Sequence, residues 1–196
     1  PWWISGDSKQ EIEKKLLLFS QSSKNIRYFG EIGLDFSKKY SEYGNKQIEI
    51  FTRIIEAISM SCPNSVISLH CVKSEDVLFD ILVKFSIFDK AIPILHCFSG
   101  SQEALNKAIK LGFYFSFGMR SLSTRKGRDY CRKVPLDRLL LESDLPQQND
   151  LDNFSVDYYI DILSATTMDM YKIRRDCQQI ELLEFKKVLV SNALDI

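Results

Sequence analysis

Four apolar segments of β-strand type end in, or run directly into, a residue type that binds metals in proteins. The four residues are Glu31, His70, His96 and Asp144. The chain has two histidines, and each of them closes such a segment. Helical patterns lie between the segments, and a parallel α/β sheet collects functional residues at the carboxyl ends of its strands. The sequence therefore predicts an α/β metal-dependent hydrolase.

The order of strand and helix patterns predicts one domain over residues 1–196. Five strand patterns end at or near Glu31, His70, His96, Gly118 and Glu142. Helical patterns begin near Ser8, Ser41, Ser74 and Ser101, continue through the basic stretch 125–133, and cover 156–168, 171–178 and 180–193. Because no hairpin signal joins the strands, we expect a parallel sheet with covering helices.

Composition narrows the class of protein without selecting a substrate. Hydrophobic residues make up 45% of the chain and charged residues 27%, which is ordinary for a globular protein. Since 26 basic residues balance 26 acidic ones, a polyanionic substrate must be held by a local site. The five cysteines lack zinc-finger spacing and are odd in number, which favours a reducing, cytoplasmic setting. No apolar stretch predicts a membrane span, and no signal-peptide pattern is present.

Imidazole nitrogen together with carboxylate oxygen suits hydrolytic Zn²⁺, Mn²⁺ or Mg²⁺ sites. A single histidine at a strand end is more often a packing or hydrogen-bonding residue, and a single acid after a strand, such as Asp35, is often a helix cap. The prediction of a metal site rests on the coincidence of all four residues. Because side chains alternate along a strand, Cys71 and Cys97 should point away from the site.

Four sequence blocks resemble the TatD family of metal-dependent deoxyribonucleases. In order they are residues 30–36 (GEIGLDF), 68–71 (SLHC), 95–100 (LHCFSG) and 141–146 (LESDLP), and the opening Pro1-Trp2-Trp3 is also similar. The resemblance implies a TIM-type (β/α) barrel of the metal-dependent hydrolase kind. It also implies two divalent metal ions and the hydrolysis of DNA phosphodiester bonds from the 3′ end.

The same resemblance implies roles for individual residues. Glu31 would bridge two metals (Mg²⁺, Mn²⁺ or Zn²⁺) and Asp144 would bind one of them, both acting in catalysis, while His70 and His96 would bind the other. Glu142 would not bind a metal itself but would orient a metal ligand or a water. Ser99 and Arg120 are weaker candidates for contacts with the substrate phosphate.

One departure from the family pattern affects the expected activity. The family's first strand ends in an H-x-H pair of metal ligands, and the printed sequence contains no such pair. The five strands correspond to the last five of the family's eight, so we expect an amino-terminally truncated member, impaired in catalysis and monomeric when complete.

Two other functions remain open at this point. The first is a small-molecule amidohydrolase on the same barrel, although such barrels commonly use a carbamylated lysine where this chain has Glu31. The second is a non-catalytic binding protein derived from the fold. Assays on oligonucleotides and model esters separate the nuclease from the first alternative, and metal content separates it from the second.

Overall fold

The computed structural model of the chain describes residues 4–145 and 155–196. The chain divides into two compact units, residues 1–95 with 100–113, and residues 96–99 with 114–196. The prediction of a single domain therefore stays a prediction. Pro1, Trp2 and Trp3, and Pro146 in the fourth sequence block, lie outside the described residues.

Over its described residues, the first unit contains three parallel strands and four α-helices. In chain order they are α1 (Lys9–Ser22), β1 (Tyr28–Asp35), α2 (Gly44–Ser61), β2 (Ser65–Val72), α3 (Glu75–Lys84), β3 (Ala91–His96) and α4 (Gln102–Leu111). Strand β2 pairs in parallel with β1 on one side and with β3 on the other. The last residue of β3, His96, already belongs to the second unit.

Local sequence signals explain where these helices begin and which face they bury. Ser8 and Glu11 form a reciprocal capping box at the start of α1. Helix α2 buries an apolar face that recurs every three to four residues and includes Ile50, Ile54 and Ile58. These helices cover apolar strand residues, so the strand ends are left to carry polar side chains.

In the part of the second unit that the structure describes, there are two parallel strands and four α-helices. In chain order they are β4 (Tyr114–Phe117), α5 (Met119–Leu122), α6 (Arg125–Lys133), β5 (Leu139–Leu141), α7 (Val156–Gln178) and α8 (Leu182–Leu194). Strands β4 and β5 pair in register from Phe115 with Leu139 to Phe117 with Leu141. Asn192 of α8 donates two hydrogen bonds to carbonyl oxygens at Leu136 and Leu139, which ties this helix to the start of β5.

The predicted α/β class, with five parallel strands and covering helices, is confirmed. Two of the differences from the predicted boundaries concern β1 and α7. Strand β1 does not end at Glu31 but continues to Asp35, because Ile32 and Leu34 are themselves buried strand residues. Helix α7 is one helix of 23 residues, since neither glycine nor proline interrupts residues 156–178.

None of the helices in residues 4–145 and 155–196 combines the length and the hydropathy that crossing a bilayer requires.

Candidate metal-binding residues

In the first unit, His70 lies between two carboxylates of the neighbouring strand. Its Nδ1 is 2.9 Å from Oε1 of Glu31, and its Nε2 is 3.3 Å from Oδ2 of Asp35. Glu31 and Asp35 are four residues apart on β1, so the two-residue period of a strand puts both side chains on the same face. The structure thus brings together two predicted ligands, Glu31 and His70, and adds Asp35 to them.

Asp35 is fixed in place at both its side chain and its backbone. Oδ1 accepts a hydrogen bond from the Ser37 N–H at 2.8 Å. The buried amide of Gln47 accepts from the Asp35 N–H at 2.9 Å and donates to its carbonyl oxygen at 2.8 Å. Burial acts to raise the pKa of the Asp35 carboxyl, but hydrogen bonds from Ser37 and the contact with His70 outweigh it, so the pKa is lowered.

Gly33 permits the close approach of β1 to β2 at this point. It lies opposite His70 in the strand register and has a φ of +153°, a conformation that side-chain-bearing residues rarely adopt. A Cβ atom at this position would lie 1.9 Å from the His70 carbonyl oxygen. Glycine at residue 33 is therefore a requirement of the packing beside His70.

In the second unit, His96 also lies between two carboxylates. Its Nδ1 is 2.7 Å from Oε2 of Glu142, and its Nε2 is 3.4 Å from Oδ1 of Asp144. Both acids follow β5, which ends at Leu141. The predicted ligands His96 and Asp144 are therefore neighbours, and Glu142 contacts the opposite nitrogen of the same ring.

Glu142 is held by groups that sequence reasoning did not select. Its Oε2 accepts hydrogen bonds from the Ser116 hydroxyl and from the Cys97 N–H, the latter at 3.3 Å. The absence of a side chain at Gly118 leaves room for it, since a Cβ there would lie 3.0 Å from the Glu142 Cγ. Burial, followed by the charges of Glu142 and Asp144, raises the pKa of the Cys97 thiol to about 12.

Two cations lie beside this second cluster. Arg120 donates to Oδ2 of Asp144 at 3.3 Å while its side chain stays 74% exposed. Lys126, in the first turn of α6, donates to the Ser99 carbonyl oxygen at 2.9 Å. Both residues predicted to meet a substrate phosphate thus lie in positively charged surroundings, because Arg120 is itself a cation and Ser99 contacts Lys126.

The donor atoms of the two clusters suit divalent ions of the hydrolytic class. Imidazole nitrogen and carboxylate oxygen are the ligands such ions take, and the second ring nitrogen of a metal-binding histidine commonly donates to a carboxylate. Within the described residues, no group of three or more His, Cys, Asp and Glu side chains is arranged to hold a metal ion. The convergence of Glu31, His70, His96 and Asp144 on shared metals thus stays a prediction.

Sequence reasoning missed Asp35, Ser116 and Lys126 as members of these clusters. Asp35 could have been found, because it lies four residues after Glu31 in one strand and so shares its face. Ser116 carried no comparable signal, since a serine inside an apolar strand is commonplace. Lys126 lies in a basic helical stretch, and the basic residues of such a stretch are most often simply exposed to solvent.

Comparisons of the chain with known proteins find relatives in sequence and in structure. A family model described as "TatD related DNase" matches residues 1–195. A human protein named 3′-5′ RNA nuclease TATDN2 is 31% identical over 139 residues, which are 68% of this chain and 18% of that protein. The 3′-5′ ssDNA/RNA exonuclease TatD of Yersinia pseudotuberculosis is 27% identical over 143 residues, 70% of this chain and 52% of that protein.

A metal-dependent hydrolase of Bacillus subtilis, YabD, named as uncharacterised, is 29% identical over 148 residues, 74% of this chain and 56% of that protein. Each match spans well under two thirds of these relatives. Among solved structures, a TatD family hydrolase from Entamoeba histolytica has a TM-score of 0.71 at 20% identity, covering 96% of this chain and 68% of that one. This likeness confirms the fold expected from the sequence blocks.

Proposed function

Since the chain belongs to the TatD-related DNase family, we propose that it acts in a metal-dependent nuclease. This nuclease hydrolyses phosphodiester bonds and removes nucleotides from the 3′ end of DNA. One relative is named a metal-dependent hydrolase, and two others carry names that specify 3′-5′ cleavage of RNA or of single-stranded DNA and RNA. We propose the cytoplasm as its compartment, and the five free cysteines fit this reducing setting.

One observation carries the proposal: each histidine of the chain contacts a carboxylate from another family sequence block. His70 contacts Glu31, and His96 contacts Asp144. We propose that these four residues bind two divalent ions, with Glu31 as the shared ligand. Bound ions of this class polarise a phosphoryl oxygen and lower the pKa of a coordinated water.

The chain's own residues have separate tasks in this proposal. Glu142 accepts the proton on Nδ1 of His96, which leaves the lone pair of Nε2 directed toward Asp144. Arg120 and Lys126 supply positive charge for the phosphates of the strand, and Ser99 lies beside Lys126. Because Arg120 is largely exposed, it is able to move from Asp144 to a phosphate without breaking buried contacts.

The test is hydrolysis of a 3′-labelled single-stranded oligonucleotide, DNA and RNA in parallel, with Mg²⁺ or Mn²⁺. We expect release of the terminal nucleotide first, and we expect His96→Ala to lower the rate at least 100-fold. Asp161→Asn, an exposed carboxylate change on α7 of the same unit, is the matched control and should retain the wild-type rate.

Undiminished cleavage by His96→Ala would remove the proposed mechanism. Hydrolysis of model esters without cleavage of either oligonucleotide would favour the small-molecule amidohydrolase. Failure of the wild-type protein to take up any divalent ion at neutral pH would favour the non-catalytic binding protein.

A further inference from the structure

The segment that follows β1 lies at the same strand end as the cluster around His70. Strand β1 ends at Asp35, whose Oδ2 is 3.3 Å from Nε2 of His70. Residues 36–43, which we call the β1 loop, connect this point to α2. The Phe36 N–H donates to the Val72 carbonyl oxygen at the end of β2, at 2.9 Å. The β1 loop thus starts beside the cluster, and loops at this end of the strands carry the functional residues of many α/β proteins.

A buried amide fixes the backbone of the β1 loop. The fully buried side chain of Gln47 accepts from the Asp35 N–H at 2.9 Å. It donates to the carbonyl oxygens of Asp35 and Tyr40, at 2.8 and 3.1 Å. The Tyr40 N–H in turn donates to the Ser37 carbonyl oxygen at 3.0 Å. Because a buried amide is costly unless its hydrogen bonds are made, these contacts hold the loop in one conformation.

The anchored loop presents two cations and an aromatic ring. Lys38 and Lys39 are exposed, and Tyr40 is half-exposed. Nζ of Lys39 lies 4.8 Å from the centroid of the Tyr40 ring, a distance at which a cation is attracted to a ring face. Contact with the Tyr40 side chain raises the pKa of the Lys39 ammonium, and the charge of Asp35 adds to this rise. The ammonium is therefore charged at neutral pH and close enough to the His70 cluster to interact with it.

A ring next to a lysine matches the two parts of a nucleotide. Aromatic side chains stack on bases of every type, and lysine neutralises phosphates. Since the stem of Lys39 is exposed, its ammonium is able to move from the ring to a phosphate. A base then takes the place of the ammonium on the Tyr40 ring, so both side chains gain a partner from one strand.

The other end of β1 carries a similar pair, which shows that position matters as well as residue type. The Arg27 guanidinium lies 5.4 Å from the centroid of the Tyr28 ring. Tyr28 is the first residue of β1 and is 62% exposed. It therefore lies at the strand end opposite to the His70 cluster. This second pair provides a matched control for the first.

From these observations we propose that the β1 loop is a nucleotide subsite, in which the Tyr40 ring stacks on a base of the bound strand and Lys39 contacts a neighbouring phosphate. The inference rests on the proposed function, because it assigns the subsite to the substrate of the nuclease. Binding to a loop that is already fixed loses little conformational entropy. Gln47 holds the backbone of Tyr40 and not its side chain, so Tyr40→Ala removes the ring and keeps the anchor.

The first experiment measures fluorescence anisotropy of a short, fluorescein-labelled single-stranded DNA with metal-free protein. We expect Tyr40→Ala to bind about tenfold more weakly, within the range of one lost base–aromatic stack. Tyr40→Phe should keep the wild-type affinity, because stacking needs the ring and not the hydroxyl. Lys39→Ala should lower the slope of log affinity against log salt concentration by about 0.7. Tyr28→Ala, the matched control, should bind as the wild-type protein does.

The second experiment replaces one nucleotide at a time by an abasic residue. At one position, the wild-type protein should lose as much affinity as Tyr40→Ala does, and Tyr40→Ala should lose nothing more there. Undiminished affinity in Tyr40→Ala, or equal losses in both proteins at every abasic position, would overturn the inference. If the wild-type protein still cleaved the strand, the nuclease would stand without this subsite. A wild-type protein that neither binds nor cleaves any oligonucleotide would contradict the nuclease and the subsite together.

Discussion

At the scale of single residues, Arg120 is the cation best placed to meet a nucleic-acid strand. Its guanidinium is largely exposed and contacts Asp144. An exposed ion pair of this kind contributes little to folding stability. The same charge facing a phosphate contributes more, because neutralising a phosphate releases condensed counterions.

We therefore expect Arg120→Ala to weaken binding of single-stranded DNA several-fold in the absence of divalent metal. The slope of log affinity against log salt should fall by about 0.7, the value of one phosphate contact on a single strand. Fluorescence anisotropy across a salt series measures both quantities. Arg132→Ala, on the exposed surface of α6, is the matched control, and an equal salt slope in both variants would show that Arg120 meets no phosphate.

Residue-scale reasoning from sequence selected residues that the structure brings into two clusters, while their role as metal ligands stays a prediction. The pairs Glu31 with His70 and His96 with Asp144 are neighbours in the structure, and Glu142, which was expected to orient a ligand or a water, contacts His96. Asp35 was set aside because a single acid after a strand is commonly a cap. Its contact with His70 joins residues 35 apart in the chain, and local patterns do not encode such a contact.

At the scale of elements, the carboxyl end of α6 depends on a buried arginine from α7. Arg174 is almost fully buried and donates to the carbonyl oxygens of Cys131 and Val134, the latter at 2.9 Å. Its Nε donates to Gln178 at 3.1 Å. Because a helix leaves its last carbonyl groups without intrahelical partners, Arg174 supplies donors that the helix itself lacks.

We expect Arg174→Met to lower the free energy of unfolding by about 3 kcal/mol, roughly 1.5 kcal/mol for each carbonyl oxygen that loses a charged donor. Urea denaturation followed by circular dichroism measures this change. Arg132→Met, on an exposed position of α6, should change stability by less than about 0.5 kcal/mol. A similar loss in both variants would mean that the carbonyl contacts of Arg174 contribute little.

The element boundaries show which structural features the sequence patterns predict and which they do not. Capping signals located α1 and α4 correctly, since Ser8 and Ser101 both cap their helices. The end of β1 was placed four residues early because Glu31 reads as the end of an apolar run, whereas pairing with β2 carries the strand to Asp35. Strand length is decided by the neighbouring strand's hydrogen bonds, and a single segment does not contain that information.

At the scale of the whole molecule, metal binding should be coupled to stability and limited by the ligands that this chain provides. Glu31, His70 and His96 give one ion three proposed protein ligands, whereas Glu31 and Asp144 give the other only two. The printed sequence has no further histidine to add. The two metal positions that we propose are therefore expected to be unequal in this chain, with one ion held far more tightly than the other.

We expect titration with Mn²⁺ to show one equivalent bound tightly and a second only weakly. At a free concentration 100 times the dissociation constant, a bound ion stabilises the folded state by about 2.7 kcal/mol. For a chain of this size, that gain should raise the melting temperature by roughly 5 to 10 °C.

His96→Ala should lose most of this increase, because it removes one of three ligands, while Asp161→Asn should keep it. Calorimetric titration and thermal melts with and without chelator measure both effects, and two equivalents bound with equal affinity would show that Asp144 and Glu31 have further ligands besides those proposed.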